Sequence, residues 1–158
     1  MATIKMSGNP AVHGLSAYGN VWSGVYSMST NSSGVIVESD LATAVQSGDI
    51  VELPGLIPAG TKLTDAVLLV SDAFTTSTTA KVGFKYADGV DSTAVPQDDD
   101  YFFVATATDS TGLTRKTTVT RPVILPKDAK VILTIGGAAH AAAGVLDVVL
   151  TGLMVGFK

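Results

Sequence analysis

Between Ala80 and Tyr86 the chain alternates without a break: Ala80, Val82, Phe84 and Tyr86 fall on one side of an extended backbone, and Lys81, Gly83 and Lys85 on the other. A period of two belongs to a strand with one buried face, and a helix would scatter these residues around its circumference. Two more strand signals precede it, residues 49–53 and 63–71, separated by a stretch that carries Pro54-Gly55 and Pro58-Ala59-Gly60. Proline and glycine are turn residues, so the separation reads as a connection and not as a longer element. The same rhythm predicts strands over 101–107, 117–125, 130–135 and 145–156, with a polar excursion over 87–100 and a loop over 108–115. Short strands at this spacing, with no long amphipathic helix between them, predict an all-β fold: an antiparallel β-sandwich or jelly roll. Arg121-Pro122 removes a ladder donor, so the strand carrying it is expected at an edge or at a bulge.

The chain of 158 residues fits one domain, or one domain and an arm. Residues 1–47 differ from the rest, with Asn9-Pro10, Tyr18-Gly19-Asn20, Ser23-Gly24 and Asn31-Ser32-Ser33-Gly34 interrupting every run. They read as an extended N-terminal arm, and residues 48–158 as the sandwich domain. Within the arm, residues 39–46 suit one or two helical turns, with Ser39 or Asp40 as N-cap and Gly48 as the stop. Tyr18, Trp22 and Tyr26 are aromatic residues in a loop-like segment, and such rings need a surface to pack on. That surface is either the chain's own core or a neighbouring subunit, which makes the three the candidate interface residues.

Composition excludes several functions. A formal charge of −4, with no clustered Lys or Arg, argues against a nucleic-acid surface. The absence of cysteine leaves no disulfide framework and no thiolate zinc site. Residues 1–8 lack the apolar run of a signal peptide, so synthesis in the cytosol is expected. Residues 141–157 are nearly all apolar, but Asp147 interrupts them, and a carboxylate there would cost roughly 2.5–3.5 kcal/mol at a bilayer centre. Two strands with a small-residue loop between them explain the tail better than a membrane helix.

The order of signals in 48–158 resembles the small jelly-roll structural proteins of tailed bacteriophages, many of them capsid decoration or cement proteins. The resemblance is carried by residues 48–53, then Leu56-Ile57-Pro58-Ala59-Gly60-Thr61-Lys62-Leu63-Thr64-Asp65-Ala66, then Val70-Ser71-Asp72-Ala73-Phe74 and Ala80-Lys81-Val82-Gly83-Phe84. It implies a virion structural protein on the outer capsid surface, a homotrimer that bridges major capsid protein subunits of an expanded head. A tail or neck component of the virion would share the pattern. A carbohydrate- or receptor-binding module is the alternative from another class, and Trp22, Tyr86, Tyr101 and Phe102 are its candidate platforms.

No nucleophile motif, metal-ligand spacing or phosphate loop is present, so no enzyme and no cofactor is expected. His13 and His140 are the only histidines, and His140 reads as an exposed residue of a small-residue loop. In a trimer, three copies of His140 near the axis could bind a metal or respond to pH. The acidic run ending in Asp98, Asp99 and Asp100 offers weak metal ligands, but its spacing is not that of a calcium loop, and a solvated acidic loop fits it better. Lys81, Lys85, Arg115, Lys116 and Arg121 read as scattered solvated charges.

Overall fold

The computed structural model describes residues 1–6 and 20–155, which form nine strands and no helix. The strands are β1 (Thr3–Lys5), β2 (Val21–Thr30), β3 (Ile50–Glu52), β4 (Thr61–Asp72), β5 (Thr78–Tyr86), β6 (Asp98–Ala107), β7 (Gly112–Arg115), β8 (Ala129–Gly137) and β9 (Gly144–Met154). They build a five-stranded sheet in the order β1-β3-β8-β5-β6 and a four-stranded sheet in the order β2-β9-β4-β7. The β1–β3 pair is parallel, and the remaining pairs are antiparallel. This is the all-β sandwich that the alternation predicts.

Side-chain phase explains why each strand lies as it does. In β9, Gly144, Leu146, Val148, Leu150 and Gly152 are buried while Val145, Asp147, Val149 and Thr151 are half-exposed. Asp147 thus stands on the solvent side of a strand, where Ser27 donates a hydrogen bond to it. In β4 the buried set is Thr61 and Leu63, then Ala66, Leu68 and Val70. Its phase changes at Thr64, where the register against β9 shifts between Leu63 and Asp65. One extra residue turns the following side chains to the other face, so this bulge is what keeps both halves of β4 facing the core. The five-stranded sheet supplies Phe84, whose ring meets Tyr86 and Tyr101 edge-on at 6.0 and 5.4 Å between centroids, the arrangement that aromatic quadrupoles favour.

Several expectations need correction. Residues 20–47, expected in an extended arm, belong to the sandwich as far as the structure describes them. β2 pairs with β9 along its full length, and Trp22, Tyr26 and Met28 are buried in the chain's own core. The physical reason is that Ser23, Ser27 and Ser29 take the outward positions, while Gly24 leaves room inside for two rings. A Cβ on Gly24 would lie 3.0 Å from the Tyr26 ring and 3.1 Å from Trp22. Residues 31–47 then lie across the sandwich edge, through the bridges Thr30–Ile36 and Met6–Ser39. The rest of the expected arm, residues 7–19 with His13 and Tyr18, lies outside the described residues.

No helical turn forms at 39–46, because its intended caps are committed elsewhere. The Ser39 hydroxyl donates to the carbonyls of Ile36 and Leu41, and Asp40 holds β1, accepting from the Lys5 amide at 2.8 Å and donating its own amide to the Lys5 carbonyl at 3.0 Å. Residues 117–125 are an irregular strap and not a strand. Leu63 donates to the Val123 carbonyl and Leu125 to that of Thr61, but Pro122 has no amide with which to continue the ladder. The expected loop at 108–115 contains the short strand β7, and the expected polar excursion ends three residues early, since Asp98, Asp99 and Asp100 open β6.

Candidate assembly surfaces

The outer face of the five-stranded sheet is built from the residues between its core positions. Register brings Lys85 of β5 opposite Lys130 of β8, with Glu52 of β3 next to them across Ile132. The Glu52 carboxylate is buried at 4% exposure and accepts hydrogen bonds from both ammonium groups, that of Lys130 at 2.9 Å. Burial alone would raise its pKa, but the hydrogen bonds and charges of Lys85 and Lys130 outweigh it and hold the carboxyl below its ordinary value.

Further along the same face, Lys81 lies 3.4 Å from Asp99 and 3.6 Å from Asp100. Asp98, Asp99 and Asp100 bring carboxylate oxygens within 4.8 Å of one another, as a shared cation would require. Two of these carboxylates already face the Lys81 ammonium. The Asp98 carboxylate accepts from the Asp100 amide at 3.1 Å, yet partial burial pushes its pKa up. Spacing and charge therefore serve the β5–β6 pairing, and the three acids remain weak metal candidates.

The outer face of the four-stranded sheet has another character. One row across it reads Val25–Val149–Val67–Arg115, and the next reads Ser27–Asp147–Leu69–Leu113. Leu113 at 67% and Val21 at 60% exposure extend this aliphatic surface to its edges. Its one ion pair between described residues joins Arg115 to Asp65, where the guanidinium hydrogen bond holds the carboxyl below its ordinary pKa. Beside β2, a groove of about 390 Å³ is lined by Met6, Ser29, Val37, Pro54, Val145 and Asp147, among others.

Among the described residues, β2 is an edge of its sheet with no strand on its outer side. Asn31 donates to Val35 and Val37 donates to the Ser29 carbonyl, while Met154 donates to the Asn20 carbonyl on the β9 side. Backbone groups of alternate residues point to opposite sides of a strand. Even-numbered residues of β2 therefore serve β9, and Val21, Ser23, Val25 and Ser27 direct their N–H and C=O groups away from the sheet. Among the described residues, none of these groups has a backbone partner.

Trp22 and Tyr26 face the core, with the Tyr26 hydroxyl donating to the Leu56 carbonyl at 3.1 Å and burial raising its pKa. Tyr86, Tyr101 and Phe102 are 4% exposed or less, so none of these rings is a platform for a sugar. His140, expected in the open, is buried at 2% exposure. Its ring lies against Phe74 at 4.7 Å, its amide donates to the Val45 carbonyl, and the Ala141 amide donates to Thr75. Gly34, at φ +74°, passes so close that a Cβ there would sit 2.1 Å from the His140 carbonyl oxygen. Among the described residues, neither ring nitrogen of His140 has a hydrogen-bond partner, and burial lowers its pKa to about 4.

The molecule is thus a two-sheet β-sandwich with one ion-paired and one aliphatic outer face. No protein family matches the chain, and no curated protein is detectably similar to it. Solved structures do share its fold. A chain in the capsid of Ralstonia phage GP4 superposes with a TM-score of 0.66 at 18% identity, over 99% of this chain and 99% of that one. A chain in the capsid asymmetric unit of cyanophage Pam1 superposes with a TM-score of 0.60 at 17% identity, over 94% of each.

Proposed function

We propose that this protein is a structural component of a phage virion that decorates and stabilises the outer surface of the expanded capsid, as a homo-oligomer bridging neighbouring major capsid protein subunits. The observation that carries the reading is the end-to-end likeness of fold to a chain from a phage capsid, covering 99% of both chains. At 18% identity the likeness speaks for the fold, so the role rests also on the surfaces. An outer sheet face carrying half-exposed Val25, Val149, Val67 and Leu69 beside exposed Leu113 offers aliphatic surface, and such surface suits a seat on another protein. The burial of Trp22, Tyr86, Tyr101 and Phe102 weighs against the glycan-binding alternative.

The test is co-sedimentation of the purified chain with expanded heads that lack it, followed by heating of the loaded heads. Saturable binding and a higher temperature of head disruption are the expected result. Heads that leave the chain in the supernatant at every concentration would overturn the reading.

A further inference from the structure

The four edge strands of the sandwich are not alike. β1 and β7 are three and four residues long, and β6 opens with three aspartates and pairs with β5 through two register shifts. Shortness, charge and bulges are the devices by which proteins keep a sheet edge from pairing with another chain. β2 has none of them. It is ten residues long, carries no charge and no proline, and runs against β9 without a register shift.

We infer that the β2 edge is a self-docking site, at which a second copy of this chain pairs antiparallel through its own β2 about a two-fold axis. The pairing rests on the geometry of the edge and replaces the homotrimer implied by the resemblance. Ser29 limits the ladder at one end, because its carbonyl is already taken by the Val37 amide. Among the described residues, the positions left without a backbone partner are therefore Val21, Ser23, Val25 and Ser27, and their midpoint is Gly24. A two-fold axis at Gly24 sets Val21 against the second copy's Ser27 and Ser23 against its Val25, so that every free residue exchanges hydrogen bonds in both directions. A two-fold axis at Val25 would instead call on Ser29 and leave a ladder bond unmade. The axis at Gly24 also suits the side chains. On the outer face each valine meets a serine, with no like charges opposed, and at the axis two glycines allow the backbones to approach closely. The row Val25–Val149–Val67 would then have its symmetry mate on the same continuous eight-stranded surface, enlarging the aliphatic seat proposed for the capsid.

The test uses the full chain with Ser23→Pro. The Ser23 amide faces away from β9, so proline removes a docking donor and no bond of the β2–β9 ladder. Light scattering is expected to give a dimer for the parent and a monomer for Ser23→Pro, with dimer dissociation at least tenfold easier. Far-ultraviolet dichroism and melting report whether the variant is folded, and Ser23→Lys is the second variant if proline disturbs β2. A parent that is monomeric at every concentration, or a dimer or trimer indifferent to both variants, would overturn the pairing. Head binding by such a parent would leave the capsid reading standing. A monomeric parent whose head binding is lost in Ser23→Pro would overturn the second copy as occupant, in favour of an extended segment of a capsid subunit.

Discussion

The two outer faces of the sandwich are made by the same pleat and end in opposite states. On the five-stranded sheet, Glu52 takes two lysines and Lys81 takes two aspartates, so the charges there find partners within the chain. On the four-stranded sheet, the rows Val25–Val149–Val67 and Leu69–Leu113 find none among the described residues, and neither do the outward backbone groups of the β2 edge. The difference teaches which face stabilises the protomer and which is left for association. An ion-paired face has met its electrostatic needs internally, whereas an aliphatic face with an open edge gains only from another surface.

The sharpest way to break this comparison is Glu52→Ala. Removing one partner of a buried pair costs about 3–5 kcal/mol when all the charges are buried. Here Lys85 and Lys130 are 31% and 33% exposed and can rehydrate, so a loss of about 2–3 kcal/mol is expected. Urea denaturation measures it, and a loss below about 0.5 kcal/mol would mean that this face does not hold the protomer together. The sign with pH follows from the depressed pKa of Glu52. Its contribution is complete above the ordinary value of 4.5 and is lost as pH falls through the lower folded value. In Glu52→Ala that acid-side loss should shrink.

His140, in the connection between β8 and β9, adds a second pH dependence that begins at higher pH. Its ordinary pKa is 6.5 and its folded value about 4. The unfolded chain therefore binds the proton first, and stability falls as pH drops from about 6.5 towards 4, by as much as about 3 kcal/mol. Replacement by Phe, which keeps a ring against Phe74, should flatten the dependence of melting temperature on pH in that window. A wild-type chain equally stable at pH 6.5 and pH 4.5 would show that the imidazole has a partner or reaches water.

Legibility in the sequence followed the kind of interaction that decides each element. β4, β5, β8 and β9 were readable because local alternation of β-branched and aromatic residues is what buries them. β2 was not, although it alternates as well: Trp22, Gly24, Tyr26 and Met28 face in, and Ser23, Ser27 and Ser29 face out. Its Gly and Ser content resembles turn chemistry, and only the pairing with β9, more than a hundred residues away in sequence, turns those residues into a strand. The burial of His140 left no local signal either. Gly136-Gly137-Ala138-Ala139-His140-Ala141-Ala142-Ala143-Gly144 reads as open loop, and the contacts that close over it come from Phe74, Val45 and Gly34. Ser39 and Asp40 had the chemistry of caps but found the loop carbonyls and β1 instead of a helix. Trp22 and Tyr26, legible as rings in need of a surface, found it in the chain's own core.

The smallest effect on the fold should come from the aliphatic face, and it should also separate folding from association most cleanly. Val67 and Val149 are neighbours in one row, both half-exposed, on strands whose opposite side carries the core. Changing both to Thr keeps the β-branched shape and the strand propensity while placing a hydroxyl on the outer surface. Melting should move little, since outward substitutions on this face remove no core contact and typically stay within about 0.5 kcal/mol each. Binding to expanded heads should weaken by roughly tenfold, because two hydroxyls would be desolvated where methyl groups were buried. If head binding is unchanged while Glu52→Ala abolishes it in a folded chain, the assignment of the two faces is reversed: the ion-paired sheet is the seat, and the aliphatic sheet is surface that the protomer tolerates.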